Sequence, residues 1–190
     1  MRKITGLLFF VALTLLLSAC SNKSLAGKPL TSFSFTDQNG QAFGTDELIN
    51  TVWVANFVFT QCDTVCLPMM SETAAIQQQL KEQGLHAEFV SFSVDPAVDS
   101  PEVIKEYIGQ YTDDESNWHM LTGYSQKEIE TFARDTFKTI VIKPESSQQV
   151  LHGTNFYLVD QQGKIINEYN YIDSSYAEEL IKDIEGLQKN

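Results

Sequence analysis

The hydrophobic pattern along this chain changes period several times, and each change marks an element. Ile4 to Leu17 is an apolar run behind two cations, Arg2 and Lys3. Phe33-Ser34-Phe35 alternates, then comes Asp37-Gln38-Asn39-Gly40, then Ala42-Phe43. Alternation interrupted by Asn-Gly predicts a small β-hairpin. Thr51 to Phe59 is nearly unbroken apolar, β-branched and aromatic sequence, the mark of a strand buried on both faces. Beyond it Met69, Thr73, Ile76 and Leu80 recur at helical spacing, with Pro68 in the first turn and Gly84 at the close.

Strand and helix continue to alternate. His86 to Val94 predicts a second strand, clearest from Phe89, ending in Asp95-Pro96. Pro101 opens a helix through Tyr111 with a stripe of Val103, Ile104, Tyr107 and Ile108. Ser125 with Glu128 has the form of a capping box for a helix reaching about Asp135, and Ser175 with Glu178 caps a final helix carrying Leu180, Ile181, Ile184 and Leu187. Asn155 to Val159 and Lys164 to Tyr169 flank a turn and read as antiparallel strands. This order predicts an α/β fold, with a central mixed β-sheet flanked by helices and an N-terminal β-hairpin.

The ends change the picture of where the fold begins. The run from Ile4 to Leu17 has the length and polarity of a secretory signal. It is short for a bilayer span, which takes about twenty apolar residues. Its ending, Leu17-Ser18-Ala19-Cys20, resembles the lipobox of bacterial lipoproteins, in which the cysteine is lipidated and becomes the first mature residue. The expected organisation is a signal peptide over residues 1–19, lipidated Cys20 and a short tether over 20–30, and one domain over 31–190. The resulting location is the extracytoplasmic face of the cytoplasmic membrane. Loss of Arg2 and Lys3 takes the formal net charge from −12 to −14. That acidity excludes a nucleic-acid partner, which needs basic surface.

With Cys20 assigned to lipid, Cys62 and Cys66 are the remaining thiols. A single close pair is not the framework of a disulfide-stapled mini-protein, and so short a loop would restrict the unfolded chain little. The pair follows a buried strand and precedes a helix, which narrows the fold to a thioredoxin-like one, with ligands expected outside the carboxyl ends of the strands. Asp95 ends the neighbouring strand and belongs near the same rim. A cysteine at a helix N-terminus has its thiolate stabilised by the helix dipole. Two chemistries are then open. Two thiolates with an imidazole form a soft donor set suited to copper; the same thiols can form a disulfide or attack a partner's. Thr60 before Cys62 also allows a peroxidase of the peroxiredoxin type. The chain has three histidines: His86 at a strand start, His119 in a turn after Trp118, and His152 in a loop before an edge strand. Spacing does not choose among them.

From Phe57 to about Tyr171 the chain resembles the Sco family, copper-handling proteins of cytochrome oxidase assembly. The resemblance rests on Phe-Val-Phe-Thr-Gln-Cys-Asp-Thr-Val-Cys (57–66), Ser-Phe-Ser-Val-Asp-Pro (91–96) with Asp99, Leu-Thr-Gly (121–123), and His152 ahead of Phe-Tyr-Leu-Val-Asp-Gln-Gln-Gly-Lys (156–164). It implies that Cys62, Cys66 and His152 hold one copper per chain, as Cu(I) or Cu(II), and that Asp95 supports the site. It also implies delivery of copper to, or preparation of the thiols of, the dinuclear copper centre of cytochrome c oxidase subunit II, with a thiol reductant protein keeping the cysteines reduced. The alternative is an extracytoplasmic thiol–disulfide oxidoreductase using Cys62 and Cys66. Where many family members carry proline after both cysteines, this chain has Asp63 and Leu67, and Asp63 is expected to disfavour thiol ionisation.

Overall fold

The structure, a computed structural model, describes residues 27–189. Residues 1–26, and with them the signal peptide and Cys20, lie outside the described residues. Strand β1 (Lys28–Pro29) is followed by a hairpin of β2 (Ser34–Thr36) and β3 (Ala42–Gly44). This is the predicted N-terminal hairpin, with Gly40 at its turn at φ 73°. Next come β4 (Trp53–Val58), α1 (Cys66–Glu82), β5 (Glu88–Ser93) and α2 (Pro101–Ile108). Then follow β6 (Trp118–Leu121), α3 (Gln126–Phe132), a π-helical turn (Ala133–Phe137), and β7 (Val141–Ile142). The chain ends with β8 (Leu151–His152), β9 (Asn155–Val159), β10 (Lys164–Asn170) and α4 (Tyr176–Gln188).

The main sheet has the order β1-β10-β9-β4-β5-β6. Strands β4, β5 and β6 are parallel, and β9 joins β4 antiparallel. The fold is thioredoxin-like, as the sequence predicts. Every residue of β4 is buried, as its unbroken apolar pattern requires. Alternation along it divides the core. Asn56 faces α1 and bonds Thr73 there at 3.3 Å. Phe57 faces the other way and packs on Phe92 and Phe137, in a cluster that includes Phe33, Phe35 and Phe132. α1 buries the predicted stripe of Met69, Thr73, Ile76 and Leu80. It closes on Gly84 (φ 68°), where Leu85 N–H bonds Leu80 O and Gly84 N–H bonds Lys81 O, the paired bonds of a Schellman end.

Several local expectations are corrected. His119 lies not in a turn but in β6, a four-residue strand whose pairing with β5 supplies what its short apolar run does not advertise. The capping box at Ser125 forms, whereas that at Ser175 does not: its hydroxyl is taken by Asp173 and Glu179. His152 lies in β8, paired with β7, and the strand that follows it, β9, is flanked on both sides rather than at an edge. β1 pairs with β10, so the sheet begins inside the segment 20–30 read as tether. Among the described residues no helix is long and apolar enough to cross a membrane.

Candidate metal centre

Cys62 lies in the turn that leaves β4, and Cys66 opens α1. The first N–H groups of a helix lack partners within it. Val65, at the cap position, offers no side-chain bond, and Cys62 does the work instead: its Sγ accepts the Cys66 N–H at 3.4 Å. The Thr64 hydroxyl lies 3.6 Å from the same sulfur. Cys66 is wholly buried beneath it, and neither cysteine is in a disulfide.

His152 arrives from the opposite side on the β7–β8 ladder, with Val141 as its register partner. Its Nε2 stands 3.3 Å from Cys66 Sγ, and its Nδ1 stands 2.9 Å from the Gly153 carbonyl. A carbonyl only accepts, so Nδ1 is the donor there, and Nε2 is the ring atom that faces the sulfurs. The Phe59 ring meets the imidazole edge-on at 5.8 Å and 88°. Gly153 leaves room beside it: a Cβ there would lie 2.1 Å from Thr139 Oγ1, so Thr139 or the backbone would have to move.

The donor atoms of Cys62, Cys66 and His152 all lie within 4.8 Å of one another. Two donors on one metal, at bonds of about 2.3 Å, stand at most about 4.6 Å apart. The three residues need only draw slightly closer to share one ion, and a set of two sulfurs and an imidazole suits a soft metal. A hydrogen bond from the Cys66 thiol holds Cys62 down at about 3, prevailing over burial and aided by His152 and by the Thr64 and Cys66 backbone. The shared proton and burial push Cys66 well up. The exposed carboxylate of Asp63, expected to disfavour thiol ionisation somewhat, does not outweigh these bonds at Cys62. Direct hydrogen bonds outweigh a solvated charge.

Asp95 is placed less directly than the motif implies. It is almost wholly buried, and Lys143 Nζ bonds its Oδ1 at 2.5 Å. Lys143 follows β7, so Asp95 reaches His152 through the ladder rather than by touching it. The acid that braces the cysteine turn is Asp99. It accepts the Thr60 hydroxyl at 2.6 Å and the Ser93 hydroxyl at 2.5 Å, and its carbonyl accepts the Thr122 hydroxyl at 2.7 Å. Thr60, the residue that suggested peroxidase chemistry, is thereby committed to Asp99. The sequence pattern carries Asp99 within a motif but gives it no role, marks Pro144 to Gln149 only as a polar stretch suited to a mobile loop before His152, and gives Lys143 no role. His119 pairs with Glu88 at 3.1 Å and stacks on Phe43, while His86 precedes β5 at the end of the sheet away from the cysteines.

The SCO1/SenC family model matches residues 22–189. The chain belongs to the SCO1/SenC family. A SCO1 protein homolog of Bacillus subtilis is 39% identical over 185 residues, covering 95% of this chain and 93% of its own. A SCO1/SenC family lipoprotein of Bacillus anthracis superposes with a TM-score of 0.83 at 47% identity, covering 86% of this chain and 96% of its own. BsSco, described as a member of the Sco family of cytochrome c oxidase assembly proteins and as having a disulfide switch, superposes with a TM-score of 0.79 at 38% identity. That match covers 86% of this chain and 95% of BsSco. Membership in the SCO1/SenC family agrees with the ordered motifs that carry the sequence resemblance.

Proposed function

We propose that this chain is a copper-binding assembly factor of cytochrome c oxidase. In this reading Cys62, Cys66 and His152 hold one copper, and the protein delivers it to the dinuclear centre of subunit II or prepares that centre's thiols. The observation that carries the reading is the convergence of two sulfurs and an imidazole nitrogen within 4.8 Å. Thiolates favour Cu(I), and the imidazole accommodates Cu(II). A thiol reductant protein supplies the reduced pair. The anchor is lipid on Cys20 at the extracytoplasmic face of the cytoplasmic membrane, a reading supported by the Leu17-Ser18-Ala19-Cys20 ending and by the lipoprotein relative of Bacillus anthracis.

The test is a copper titration of the reduced chain, followed by the thiolate-to-copper charge-transfer band. One equivalent saturates the band in the native chain, and His152→Ala greatly weakens binding while leaving disulfide formation between Cys62 and Cys66 intact. Unchanged affinity in that variant removes the three-ligand reading. A second reading, thiol–disulfide exchange, is favoured by the asymmetry of the pair. Cys62, 6% exposed, is poised as thiolate, and Cys66, fully buried behind it, is placed to resolve a mixed disulfide. Turnover of a disulfide substrate by the His152→Ala variant at the native rate would favour this second role.

A further inference from the structure

The segment between β7 and β8, residues 143–150, is tied down at both feet. At the first foot, Lys143 Nζ bonds the buried Asp95 carboxylate at 2.5 Å, and the Lys143 N–H donates to Glu130 Oε1 at 3.1 Å. At the second, Gln149 Nε2 donates to the Gln61 carbonyl at 2.9 Å, and Gln149 Oε1 faces the Asp63 N–H at 3.5 Å. Gln61 and Asp63 flank Cys62, and Asp95 follows β5. The two feet therefore fasten the His152 ladder to the sheet rim and to the cysteine turn. The ladder itself is only two residues on each strand, too short to hold its place unaided. Val141 and Val150 bury apolar surface beneath it, but apolar contact does not fix a sideways position.

Resting on the copper reading above, we infer that Lys143 is a positioning residue for His152. Its ammonium on Asp95, with Gln149 on the cysteine turn, sets where Nε2 stands relative to the thiols, and loss of copper proceeds through opening of this strap. Burying a lone carboxylate is costly. The free Oδ2 of Asp95 has no hydrogen-bond partner, so Lys143 is the group that compensates its charge. Opening the strap thus requires Asp95 to regain another partner, which makes the closed position the resting one.

The test uses the full reduced chain in detergent with Lys143→Met, Lys143→Arg and Gln149→Ala. Lys143→Met leaves a buried carboxylate unpaired and risks the fold; Gln149→Ala, at a partly exposed position, does not. In the metal-free chain, amide exchange of His152 and Gly153 is expected to rise severalfold in Lys143→Met and in Gln149→Ala, and to return near native in Lys143→Arg. Native exchange in Gln149→Ala and in a folded Lys143→Met overturns the strap, whether or not the chain binds copper. In the Cu(II)-loaded chain the imidazole nitrogen coupling in the electron spin resonance spectrum should become weak or mixed in both loosened variants. Copper loss to a chelator should quicken about tenfold, with the thiolate band retained. Native coupling and native loss rates overturn the positioning role. A native chain that takes up no copper overturns the copper reading instead, leaving the exchange result to decide the strap.

Discussion

The Thr60 hydroxyl donates to the Asp99 carboxylate at 2.6 Å, joining the turn that carries Cys62 to the segment between β5 and α2. Ser93 and Thr122 bond the same residue from the ends of β5 and β6. One aspartate thus gathers three parallel strands at the rim where the cysteines lie.

Burial holds Asp99 above its ordinary 3.8, although Ser93 and Thr60 pull it down. The native state then binds this proton more tightly than the unfolded chain. Its stabilising contribution is complete below pH 3.8 and is lost as pH rises through the raised native value. Asp99→Asn removes that loss. Urea midpoints between about pH 4 and pH 7 should fall less steeply for the variant than for the native chain; parallel profiles would show that Asp99 does not titrate in this window.

Cys62, held at about 3, stays a thiolate in mild acid. Iodoacetamide should therefore modify Cys62 of the reduced, metal-free chain at about pH 5, well below the ordinary thiol range near 8.5. Cys66, buried and shifted upward, should remain unmodified. Peptide mass spectrometry distinguishes the two, and equal labelling would contradict the assigned asymmetry.

Gly153→Ala places a Cβ against Thr139 Oγ1 beside His152. Either Thr139 or the ladder must give, and a shift of the ladder carries His152 away from Cys66. A loss of about tenfold in copper affinity is expected, with Cys62–Cys66 disulfide formation unaffected. Competition against a copper chelator measures it, and native affinity would mean that Thr139 yields without moving the imidazole.

Phe92→Ala opens the aromatic cluster between β5 and α3. Truncating a buried phenylalanine costs about 3–5 kcal/mol. Denaturant unfolding should show that loss, and a loss under about 1 kcal/mol would mean that Phe33, Phe132 and Phe137 collapse into the space.

Much of the fold was legible because its strongest elements are long and periodic. β4 and α1 carry their burial in their own sequence, and the pair Cys62 and Cys66 lies at their junction. β6 was hidden because Trp118–Leu121 is short, follows a polar loop, and is a strand only by pairing with β5. His152 was read into a loop for the same reason: a two-residue ladder has no period to detect. Ser175 shows a further limit, since a capping pattern is local whereas Asp173 and Glu179 compete for the hydroxyl. The bonds of Lys143 and Gln149 carry no sequence signal, because an ion pair across 48 residues and an amide contact across 88 are products of the finished fold.

β1 joins β10 through Lys28↔Ile165 and Pro29↔Lys164, at the end remote from Asn170. The cysteines lie past Val58, at the other end of β4, and six strand residues span about 20 Å. With lipid on Cys20 as proposed, the domain stands on a short stalk at its base and carries its sulfurs at the far pole. On that proposal the cysteine turn would lie on the side of the domain away from the bilayer, where a partner could approach it without squeezing beneath the protein.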